Sequence, residues 1–123
     1  MPIRSDHLSK ARNNEKLLVN EMSSSEYVSY LDWVVTVAFY TALHYVDACL
    51  ARYAIHPNSH QGRNGRNSEV SRNRNLRRVA TKYLILYGRS RYSRYIPFSE
   101  RNIKPSEVIR LVSWVMNDFK TLP

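Results

Sequence analysis

The run YLDWVVTVAFYTALHYVDACLA, residues 30–51, constrains the fold more than any other part of the chain. It is apolar nearly all round at helical period, and such a helix has to be wrapped by neighbours. Strands are poor candidates for that role. No stretch alternates apolar and polar residues between hairpin turns, and glycine occurs only at positions 62, 65 and 88. Helical periodicity recurs instead. Residues 5–22 align Leu8, Ala11, Leu18 and Met22 on one face, with Asp6 in the first turn. Ser23 and Glu26 have capping-box spacing for the long second helix, expected to run from about Ser24 to Ala54.

Pro57, Gly62 and Gly65 then mark residues 56–67 as a loop. A third helix is expected over 68–87, burying Val70, Val79, Ala80, Tyr83 and Tyr87 and showing Arg74, Arg78 and Lys82 on its other side. Gly88 is expected to end it and to open an irregular basic connection. Pro105 suits the first turn of a last helix, where its missing N–H costs nothing, and Val108, Leu111, Val112, Val115 and Phe119 form its inward stripe. The expectation is one all-α domain over residues 1–123: an up-and-down antiparallel bundle of four to five helices, with the second at its centre.

Charge is distributed unevenly over this frame. The chain carries a net +9, but residues 52–104 hold 13 Lys or Arg against Glu69 and Glu100, a local +11. Such a block attracts polyanions and gains from counterion release when phosphates bind. Arginine, the commoner cation here, also grips phosphate through a planar fork. Cys49 is the single cysteine, which excludes an intrachain disulfide and fits a reducing compartment. The N-terminus is polar, and Thr36, Thr41, His44 and Asp47 interrupt the apolar run as a membrane span. A cytoplasmic protein without a membrane partner is therefore expected.

Three constellations could carry chemistry. The second helix holds a polar row, Ser29, Asp32, Thr36, Tyr40, His44 and Asp47, at spacings of three or four. It reads either as a site, with His44 moving a proton and Tyr40 or Asp47 orienting it, or as a face satisfied by a neighbouring helix. The loop contains His60 and Arg63. An imidazole beside a guanidinium can serve RNA cleavage without a metal, one moving the proton and the other meeting charge on the phosphate. In SRYSRY, residues 90–95, Arg91 and Arg94 interleave with Tyr92 and Tyr95, so rings could stack on bases while arginines hold phosphates. Arg63, Arg66, Arg74 and Arg78 extend that candidate phosphate surface.

No cofactor is expected. The chain has no GxxxxGK[ST] or GxGxxG, and no Glu-x-x-His pairs for a bundle metal centre. His56 and His60 alone are too few for zinc.

Taken together, DWVVTVAFYTALHYVDACLA at 32–51, SHQGR at 59–63 and the basic segment ending in LYGRSRYSRY at 86–95 resemble the HEPN family of prokaryotic helical domains. The resemblance spans residues 5–120 and implies a helical bundle, often a homodimer. It also implies RNA or nucleotide binding in a toxin–antitoxin or defence setting, or metal-independent endoribonuclease activity. A third implied role is that of a non-catalytic, antitoxin-type partner, as for members encoded beside a nucleotidyltransferase-like protein. Catalytic members carry an arginine, a polar residue, a few more residues and then histidine, with four to six residues between the arginine and the histidine. Here Arg52 precedes His56 by three intervening residues and His60 by seven, and His60 and Arg63 stand in reverse order. His44, His60 and Arg63 are the candidates for catalysis.

Overall fold

The structure is a computed structural model that describes residues 3–23, 31–57, 65–95 and 103–123, with the side chains of 19–23, 32 and 95 outside that description. It is all-helical, with no strand among the described residues. The helices are α1 (Arg4–Ser23), α2 (Leu31–Arg52), α3 (Arg66–Arg72), α4 (Ala80–Tyr95) and α5 (Pro105–Trp114). A 3₁₀ segment, Arg74–Val79, leads into α4, and a π-helical turn, Val115–Phe119, prolongs α5.

Local chemistry explains several boundaries. Asp6 reaches back to accept from the Ile3 N–H at 3.1 Å, satisfying a donor that the first turn of α1 leaves open. Pro105 opens α5 as its sequence position predicts. The α2 C-terminus closes with Ile55 N–H donating to the Leu50 carbonyl at 2.9 Å, while Ala54 takes φ 60°. That left-handed position is one that glycine usually fills.

Two boundaries differ from expectation. The helix predicted over 68–87 is broken at Asn73, whose backbone is extended (φ −74°, ψ 122°) and whose side chain accepts from the Asn75 N–H. Asparagine competes in this way with the helical hydrogen-bond ladder. Gly88, in turn, does not end a helix. It lies inside α4, which continues to Tyr95, so half of the predicted irregular connection is helical. The capping box at Ser23 and Glu26 reaches beyond the described residues.

Helix α2 is the centre, packing against α1, α4 and α5. Contacts along each pair define the directions. Arg4 lies near Cys49 and His7 against His44, so α1 and α2 are antiparallel. Arg94 meets Tyr40 while Tyr83 lies beside Asp47, two turns further along α2, which makes α4 antiparallel to α2. Arg89 meets Glu107 and Lys82 meets Asp118, which makes α5 with its extension antiparallel to α4. Phe39, Leu50, Leu76, Tyr83, Leu86, Leu111 and Phe119 fill the interior. Each such side chain contributes about 2 kcal/mol by leaving water. The inward stripe of α5 is buried as predicted: Val108, Leu111, Val112, Val115 and Phe119. By length and composition α2 could cross a membrane, yet 78% of that window is buried inside the bundle.

Candidate functional site

The polar row on α2 is a seam along which three other helices deliver partners. At one end Tyr40 accepts from Arg94 of α4 at 3.1 Å. One turn on, the His44 ring stacks on His7 of α1, with centroids 6.3 Å apart. At the other end Asp47 accepts two hydrogen bonds from the Arg66 guanidinium of α3, at 2.7 and 2.9 Å. Thr36 is half-buried, and the Asp32 side chain lies outside the described residues. His44 Nδ1 is buried without a hydrogen-bond partner, while Tyr40 and Asp47 accept from arginines.

Burial dominates the electrostatics here. Desolvation pushes the His44 pKa down to about 4, outweighing the attraction of Asp47, so the ring is neutral at neutral pH. His7 is lowered for the same reason, with Asp47 again opposing. Arg66 is raised: burial works against its charge, but Asp47 more than restores it. Burial also raises the Tyr83 phenol, which lies beside Arg66 and Asp47. Cys49 is buried and its thiol is raised by desolvation, as suits an inert core cysteine.

The expected phosphate holders separate into groups. Arg66 is turned inward; its side chain is 14% exposed and it is bound to Asp47. Arg74 is exposed on the 3₁₀ segment, and Arg78 donates to Thr121. Lys82 pairs with Asp118. Arg89 pairs with Glu107 while lying 4.4 Å above the Tyr92 ring. Arg91 and Arg94 are exposed on the opposite side of α4. Arg91 lies over Tyr87 at 5.8 Å and donates to its hydroxyl; Arg94 lies over Tyr40 at 5.7 Å. His60 and Arg63 lie outside the described residues, as does the Tyr95 side chain.

A guanidinium laid on a phenol ring is pre-oriented. Here Arg91 and Arg94 also donate to the Tyr87 and Tyr40 hydroxyls, which holds both guanidinium groups in place on the exposed side of α4. Tyrosines thus receive the arginines along α4 towards α2, and ion pairs join α4 to α5.

Sequence reasoning missed three participants. His7 stands four residues before buried Ala11 on the inward face of α1, a position that could have marked it. Tyr87, expected in the core, is half-buried and carries Arg91. Arg77 is exposed between Arg74 and Arg78. Comparisons of the chain with protein-family models, curated proteins and solved structures give no match.

Proposed function

We propose that this domain is a HEPN-like module that binds RNA or nucleotide phosphates through the seam of α4 and α2. One observation carries the reading: Arg91 and Arg94, within the most basic segment of the chain, are held exposed over tyrosine rings. The tyrosine contacts order these guanidinium groups in advance, and the net positive charge of the segment around them attracts a phosphate. The exposed Arg74 and Arg77 add to the field that draws a polyanion in. The HEPN resemblance supports the same ligand class.

The test is a titration of labelled single-stranded RNA at several salt concentrations, with chelator present. Affinity should fall linearly on a log–log plot, and losing two phosphate contacts in Arg91→Gln/Arg94→Gln should flatten the slope by about 1.4. Arg12→Gln, on the exposed side of α1, should leave the slope unchanged. Salt-insensitive binding, or an unchanged slope in the double variant, would refute the proposal. Fragments ending in 2′,3′-cyclic phosphate would replace it with the ribonuclease reading. Capture of a nucleotidyltransferase-like protein without RNA binding would replace it with the partner-protein reading.

A further inference from the structure

Ligand spacing along the chain gives no hint of a metal centre, because the residues that could form one come from two helices. A ring nitrogen of His7, a ring nitrogen of His44 and a carboxylate oxygen of Asp47 all lie within 4.8 Å of one another. Two donors about 2.1 Å from a common ion are at most about 4.2 Å apart, so small side-chain rotations are enough to close the set. The Nδ1 atoms of both histidines are buried and have no hydrogen-bond partner. Buried ring nitrogens are normally satisfied, and two neighbouring exceptions beside a carboxylate call for an explanation.

We infer that His7, His44 and Asp47 form a binding site for a divalent first-row transition metal, such as Zn²⁺ or Co²⁺. Two imidazoles and one carboxylate suit these ions, whereas Mg²⁺ and Ca²⁺ favour oxygen donors throughout. Arg66 is compatible with this role. A carboxylate offers about four lone pairs and the guanidinium takes two, so Arg66 orients Asp47 as an outer partner. Its charge, with that of Lys10 nearby, weakens the site relative to an all-anionic one. The site stands independently of RNA binding, because Arg91 and Arg94 are not among its ligands.

The test uses the full chain, free of any affinity tag and stripped with chelator, titrated with Co²⁺ and followed by calorimetry and visible absorption. One equivalent should bind with the intense bands of a low-coordinate site. Outer partners of metal ligands cost about 10- to 100-fold in affinity, so His7→Gln and His44→Gln should each cost at least about tenfold. No binding by the parent chain, or a smaller loss in either variant, would overturn the inference. Should a variant fail to fold, histidine ring NMR signals of the parent chain decide. Co²⁺ should broaden His7 and His44 before His56 and His60, and the reverse order would overturn it.

Discussion

The two sides of α4 hold their cations differently. Towards α5, Lys82 and Arg89 meet Asp118 and Glu107. Towards α2, Arg91 and Arg94 rest on Tyr87 and Tyr40. Ion pairs hold two helices in register, and a guanidinium packed against a ring loses its disorder. Basic residues of one helix are thus held in two ways: by ion pairs on the α5 side, and on tyrosines at an exposed face on the α2 side. Arg66 extends the first class to its limit, since its partnership with Asp47 is almost fully buried.

That limit predicts the largest effect. With chelator present, Asp47→Asn leaves the buried Arg66 charge uncompensated and should cost about 3–5 kcal/mol, seen as a lower denaturant midpoint. Against this, Arg91→Gln/Arg94→Gln should cost at most about 2 kcal/mol while carrying the RNA salt effect described above. A double variant that unfolds the protein would erase the distinction between the two sides. Gly88→Ala sharpens it from another direction. A Cβ at this position would meet nothing within 4 Å, so the change should stabilise α4 by about 0.5–1 kcal/mol and raise the melting temperature.

The smallest effect concerns Glu15, which accepts from Tyr45 at 2.7 Å and from Lys120 at 2.6 Å. Burial alone would raise its pKa, but Lys120 and Tyr45 together hold it below 4.5. A depressed carboxylate contributes stability that is present above its unfolded value and is lost as pH falls through its folded one. The stability difference between the parent chain and Glu15→Gln should therefore be constant near neutrality and shrink below about pH 4.5. A difference independent of pH would mean that the ion pair with Lys120 contributes nothing.

Residues acting on near neighbours were legible in the chain. The all-round apolar run made α2 central, the stripe from Val108 to Phe119 aimed α5 inward, and Pro105 marked where it begins. These follow from periodicity and backbone stereochemistry, which act within a few residues. Asn73 and Gly88 were misjudged because a helix-breaking tendency of about 1 kcal/mol is decided by packing that a local reading does not see. At Asn73 the side chain completed the break, and at Gly88 the contacts of the following turns with α2 and α5 carried the helix through.

The sequence by itself determined the class of the fold, its central helix and a basic segment suited to anions. Which partner each polar residue of α2 would meet was decided only by tertiary structure. His7 reaches His44 from another helix, Arg66 turns in to Asp47, and Arg94 turns out over Tyr40. Spacing within a helix fixes which residues share a face, but the register between helices decides what that face touches. That register is set by the fit of the whole core, Phe39 against Tyr83 and Tyr87 included, and no short stretch of the chain encodes it.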